Sequence, residues 1–376
     1  MLLNLLKQNK MKALKSKFLI ILIVLQITGI NHAFSEKQEY VKEIHKEYTV
    51  NQESLLDITN KYGDITIKDW DKDLLTIDVL IKVESSSKEK ADKKLSYINI
   101  KFSEEDNVIK AVTEFDEKFS NTSSSFLVFS SSSSENFSID YTVHMPRYLK
   151  MNLYNKYGSI FINEIHGKSN IILKYGHFKA NKLLFSDSKP LSTVSLSYCE
   201  GEVEKCNWVK YIINYSGITI NDSKALIVVS KYSKVNIENN VSLVSESKYD
   251  RYKLGDVNNL VTVGKYTDYK IEKLSKKLDL DTKYGNCRIG EVPAGFKDIK
   301  VVAKYADIDI GISSDAGYSI KGKGRYGDLD YNESKANVNR EIKSTSFTIE
   351  GTIGAKGDTG SKVYIEVEYG DVDLRE

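Results

Sequence analysis

The chain has 376 residues, and 54 lysines and arginines against 52 aspartates and glutamates leave a formal net charge of +2. That balance gives no support for a nucleic-acid or membrane-surface partner, and a hydrophobic content of 41% excludes a disordered chain. Only 3 prolines accompany 24 tyrosines, a composition suited to long hydrogen-bonded strands, because proline removes a ladder donor.

The first predicted element is an export signal. Lys12, Lys15 and Lys17 precede an apolar run over 18–30, and Ala33 and Ser35 supply the small residues of a cleavage site. The expected signal peptide is 1–35, with Met11 as an alternative start. The apolar run is shorter than the ~20 residues of a spanning helix, so no transmembrane anchor is expected after cleavage.

Residues 36–150 read as a β-rich cap. Leu74 to Val83 alternates like a strand, and Ser87 is a plausible N-cap for a short helix reaching Leu95. Tyr97 to Phe102 and Val108 to Phe115 read as further strands. The stretch 120–134 is serine-rich and reads as a loop.

Residues 151–376 carry an internal repeat, Lys-Tyr-Gly followed by alternating apolar positions. The pattern is first seen at Lys61-Tyr62-Gly63-Asp64-Ile65-Thr66-Ile67. It returns at Tyr157, Tyr175, Tyr198, Tyr215, Tyr232, Tyr249, Tyr266, Tyr284, Tyr305 and Tyr326, with a last copy at Tyr369. From Tyr198 to Tyr266 the step is 17 residues four times running. Phe347 reads as a degenerate copy. Apolar residues fall at +3 and +5 from each tyrosine, whereas those before it share the tyrosine's own parity. Such a switch requires two short strands meeting at a bend, with Gly, Ser or Ala supplying the permissive backbone. The expectation is an all-β, single-stranded β-solenoid with a buried tyrosine column, antiparallel hairpins being the competing architecture. On that reading Tyr249→Ala should cost ~3–5 kcal/mol.

Three segments carry a family resemblance: Tyr141-Thr142-Val143-His144-Met145-Pro146, then Met151 to Gly158, and Tyr364 to Leu374. Over roughly residues 55 to 376 the chain resembles the bacterial putative-adhesin family of β-strand-repeat domains, similar to autotransporter adhesin heads and common in Bacteroidota. The resemblance implies a β-solenoid at the cell envelope and supplies no catalytic residues.

The sequence shows no nucleophile motif, phosphate loop or metal-ligand spacing, so neither an enzyme nor a cofactor is expected. His177 sits at an outward position. Cys287 takes an inward +3 place, and Cys199 and Cys206 could form at most one bridge. The outward positions −1, +2 and +4 collect Lys231, Lys234, Lys248, Arg251, Lys253, Lys265, Lys270, Lys283 and Arg288. This basic stripe reads as a solvated face or as a surface for anionic glycans. Toward the C-terminus the same positions hold Asp307, Asp309, Asp328, Asp330, Asp371 and Asp373. These read as ordinary charged surface, with calcium between layers as the sharper alternative. The functional expectation is an exported envelope protein, periplasmic or at the cell surface, acting as an adhesin or structural protein. The alternatives are a scaffold or sensor taking an envelope protein at an uncapped end, and a polysaccharide-degrading β-helix enzyme.

Overall fold

The computed structural model describes residues 37–117, 137–354 and 360–376. The signal segment 1–35 and the serine-rich stretch 120–134 lie outside the described residues. Those described form 25 strands in one continuous sheet, and a single α-helix, Lys88–Ser96. Most neighbouring strands are parallel, as in a β-solenoid-like fold.

The middle of the chain shows how the pattern builds the stack. Strands Gly217–Lys231, Lys234–Lys248, Arg251–Lys265 and Asp268–Lys283 lie side by side in parallel. Equivalent positions pair in register, as in Ile220 to Ile237 to Leu254 to Ile271. Each strand is bent into two arms. In Gly217–Lys231, Ile218 and Ile220 are buried before the bend, and Leu226 and Val228 after it. Both arms therefore turn an apolar side inward, and they meet across the interior, where Ser230 Oγ lies 2.7 Å from the Tyr252 hydroxyl. Each fully buried Ile or Leu contributes ~1.5–3 kcal/mol, and the columns repeat in every layer.

The corner differs from the expectation in two respects. The left-handed residue is the tyrosine itself: all twelve repeat tyrosines, Tyr62 to Tyr369, have φ between 51° and 67°. That conformation costs an L-residue about 1–2 kcal/mol, and it swings outward a side chain whose parity would otherwise point it in. The following glycines are required by close approach instead. A Cβ on Gly158 would lie 1.9 Å from the Gly63 carbonyl oxygen, and one on Gly176 would lie 1.8 Å from that of Gly158. The corner backbone is paired across layers, with Tyr232 N–H donating to the Lys248 carbonyl at 3.1 Å and Tyr249 N–H to that of Lys265 at 3.0 Å.

Where glycine is absent, the corner side chain turns inward and accepts a hydrogen bond from the neighbouring layer. Ser216 Oγ accepts from Cys199 N–H at 2.9 Å, Ser233 Oγ from Ser216 N–H at 3.3 Å, and Asp250 Oδ1 from Ser233 N–H at 2.7 Å. This ladder satisfies backbone donors that the bend removes from the sheet.

Layer order departs from chain order at the C-terminal end. Lys362–Glu368 inserts between Asp298–Lys304 and Tyr318–Arg325, parallel to both. Val372–Arg375 likewise lies between Ile308–Ile312 and Leu329–Tyr331. The Tyr369 layer thus separates those of Tyr305 and Tyr326, so the chain's last strand is not the outermost. On one arm the outermost strand, Tyr318–Arg325, is covered by antiparallel Ser346–Ile353, which carries Ala336–Lys343 on its far edge. Phe347 belongs to this covering strand and is buried, so it is no degenerate repeat. An uncapped C-terminal layer is therefore not what the structure has on that arm.

At the other end, Leu55–Lys61 pairs with Val108–Phe115, and Ile65–Trp70 with Phe137–Pro146. Further strands then add antiparallel: Ile98–Glu105 on one arm, and Leu74–Ser85 followed by Gln38–Thr49 on the other. Ser87 caps the helix, its side chain accepting from Lys90 N–H.

Candidate functional site

The most regular surface feature is the tyrosine column. Rings from Tyr62 through Tyr157 to Tyr305, then Tyr369 and Tyr326, stack with centroids 4.8 to 5.3 Å apart and planes inclined by 1° to 23°. From Tyr175 onward they are 40 to 51% exposed, which corrects the expectation of a buried column. Their faces are occupied by one another, so what reaches solvent is ring edges and hydroxyls. Lysines at −1 lie over the rings, Lys156 at 4.5 Å, Lys231 at 5.3 Å and Lys248 at 5.2 Å. Stacking and cation–π contact together offset the backbone cost of the corner.

The expected basic stripe is divided by this column. Lys231, Lys248, Lys265 and Lys283 align in register on the second arm, beside the tyrosines. Lys234, Arg251, Lys253, Lys270 and Arg288 lie on the outer side of the first arm. All nine are exposed. Arg288 pairs with Asp309 at 3.4 Å, whereas the other eight have no carboxylate partner among the described residues. Basic residues in other layers are commonly paired, as in Lys182 with Glu164, Lys304 with Glu368 and Lys323 with Glu366.

The aspartates continue the first-arm face. In the +4 column Lys253, Lys270 and Arg288 are followed in register by Asp309, Asp373 and Asp330. At +2, Asp307 Oδ1 accepts from Asp371 N–H at 3.1 Å, and Asp371 Oδ1 from Asp328 N–H at 2.8 Å. Arg375 and Arg288 hold Asp309, and Arg340 holds Asp328. Backbone donors and arginines occupy the carboxylates that calcium would need. No group of three or more His, Cys, Asp or Glu among the described residues is placed to hold a metal ion. A shallow furrow of about 500 Å³ lies where the face changes sign, between Arg251, Lys270 and Arg288 on one side and Asp307, Asp309, Asp371 and Asp373 on the other.

The interior holds polar groups that the apolar periodicity did not reveal. Ser230 Oγ donates to Asp250 Oδ2 at 2.7 Å, Ser245 and Thr262 hydroxyls lie 2.6 Å apart, and the Tyr269 hydroxyl meets Ser247 and Thr262 at 2.5 and 2.9 Å. Burial raises the Asp250 carboxyl above its ordinary value, against the hydrogen bonds it accepts from Ser230, Ser233 and Lys248. The signal was available at −2 from the tyrosine, where Ser230, Ser247 and Thr282 occupy inward positions. Cys199, Cys206 and Cys287 are buried and unbridged. Burial pushes the thiols of Cys206 and Cys287 up to about 12, so neither supplies a thiolate at neutral pH. His177 is exposed.

No protein-family model matches the sequence, and no curated protein is similar to it. Among solved structures, a putative adhesin from Parabacteroides distasonis is 13% identical, with 72% of this chain and 97% of that one covered and a TM-score of 0.36. A putative adhesin from Parabacteroides merdae is 11% identical over 66% and 96% of the two chains, at 0.30. A putative cell adhesion protein from Clostridium sporogenes is 12% identical over 90% and 99%, at 0.21. No described helix is long and apolar enough to cross a membrane.

Proposed function

We propose that the chain is an exported, non-catalytic binding protein of the adhesin kind, its Lys-Tyr-Gly repeats forming the rungs of a β-solenoid. Its ligand is a linear acidic glycan lying along the ridge made by the tyrosine column and the lysines beside it. The observation that carries this reading is the row Lys231, Lys248, Lys265 and Lys283: one exposed lysine per layer, in register, without a carboxylate partner among the described residues. A row of like charges at strand spacing raises the local concentration of a polyanion, and an extended polymer can meet several layers at once. Exposed tyrosine edges and hydroxyls add hydrogen-bonding groups to the same ridge. Export rests on the basic, apolar and small-residue sequence of 1–35.

The test is a binding screen of the purified protein against acidic and neutral polysaccharides at low and high salt. Acidic polymers should bind at low salt and be released at high salt. Lys231, Lys248 and Lys265 exchanged together for glutamate should abolish that binding while leaving the thermal melt in place. Undiminished binding by this variant overturns the ridge as the site.

A further inference from the structure

The outer face of the first arm is bipolar, and its two halves carry matched charge. The layers of Tyr232, Tyr249, Tyr266 and Tyr284 present Lys234, Arg251, Lys253, Lys270 and Arg288 against one carboxylate, Asp268. The layers of Tyr305, Tyr369 and Tyr326 present six aspartates at the same positions. Two of these, Asp309 and Asp328, are held by arginines within the chain.

Neutralisation within one molecule stops at the boundary. Arg288 and Asp309 are in adjacent layers and pair. Lys270 and Asp373 are three layers apart, and Lys253 and Asp330 five, which at strand spacing is roughly 14 and 24 Å. None of these four has a salt-bridge partner among the described residues. A hydrogen-bonded stack cannot fold back on itself to join them, so only a second body can.

We infer that this face is a docking surface for a second copy of the chain, bound antiparallel about a two-fold axis that runs along the strands between the Tyr284 and Tyr305 layers. Such an axis reverses the layer order and keeps each column over itself. Arg288 then faces Asp309 of the other copy, Lys270 faces Asp373, and Lys253 faces Asp330, with every pair made twice, as an isologous interface requires. The alternative two-fold, along the stack, sets basic layers on basic layers and is excluded by repulsion. Six layers, with arms of about six residues, present roughly 600 Å² per copy. The resulting ~1,200 Å² sits at the lower bound of specific interfaces, so the dimer is salt-sensitive. The furrow straddles the axis, between the two halves. The ridge of Lys231, Lys248 and Lys265 is not part of this contact.

Sedimentation velocity on the purified chain tests the arrangement. A concentration-dependent dimer is expected at about 50 mM salt, weakened severalfold or more at about 500 mM. Lys270→Asp alone places carboxylates opposite Asp373 of the partner copy, and Asp373→Lys alone places lysines opposite Lys270. Each should weaken self-association by at least ~30-fold. Mixed one to one, the two variants should form a heterodimer of about wild-type strength, since both juxtaposed pairs are then opposite in sign. All four substituted or facing side chains are exposed, and the heterodimer also certifies that both variants are folded. A chain that stays monomeric at low salt overturns the inference, as does a dimer indifferent to Lys270→Asp or a mixture that fails to associate. None of these results bears on glycan binding by the separate ridge.

Discussion

Two columns run through the stack with one residue from each layer, and they contribute in opposite ways. The +3 and +5 column, with Val235, Ile237 and Leu254, is wholly buried and gains its free energy from removal of apolar surface from water. The tyrosine column is equally regular, yet about half exposed and built on left-handed backbone, so ring stacking largely repays a local strain. Regularity in sequence is therefore no measure of contribution to stability. A repeat can be kept in step by a corner that is nearly neutral in energy.

The sharpest way to test this contrast is one truncation in each column. Ile237→Ala empties a fully buried position between two layers and should cost ~2–5 kcal/mol in denaturant unfolding. Tyr249→Ala should cost only about 1 kcal/mol, the scale of an exposed stacking contact, well below the value expected of a buried ring. Tyr249→Gly should recover part of that loss, because glycine accepts φ near 59° without penalty. Equal losses for Ile237→Ala and Tyr249→Ala would remove the distinction between the columns.

The smallest effect concerns the polar interior. Asp250 fills a corner place that serine fills at 216 and 233, and burial holds its carboxyl above the unfolded value of 3.8. The native state therefore takes up its proton at higher pH than the unfolded state. The associated stabilisation is complete below 3.8 and is lost as pH rises through the native value. Asp250→Ser should accordingly be more stable than wild type at pH 7, and the difference in melting temperature should shrink as pH falls toward 4. A difference independent of pH would mean that the carboxyl is not the source.

Much of the core could be read directly from spacing. Ile65, Ile160 and Cys287 fall at inward +3 positions and are buried. The parity switch at the corner is real, because Val228 and Ser230 before Tyr232, and Ser233 and Val235 after it, all point in. The wrong inference concerned the tyrosine, whose parity matched the inward set but whose φ sign, invisible in the residue pattern, put it outside. For the candidate site, the sequence identified the charged positions without their division. Lys231 and Lys234 look like one stripe in the chain, yet the corner between them sends one to the ridge and the other to the first-arm face. The Ser and Thr interior was missed because an alternation of apolar residues does not register hydroxyls at inward places.

What the sequence by itself determined is the layer: a period of 17 residues, two arms, a bend, and an apolar side for each arm. These follow from alternation, which is local, since neighbouring residues on a strand must face opposite ways. The tertiary structure alone decided the order of layers and the far neighbours of each charge. Nothing local tells Lys362–Glu368 to enter between Asp298–Lys304 and Tyr318–Arg325, because parallel pairing depends on which strand edge is open once the rest has folded. That insertion brings Asp373 between Asp309 and Asp330, and with it completes the acidic half of a face whose basic half lies a hundred residues earlier in the chain.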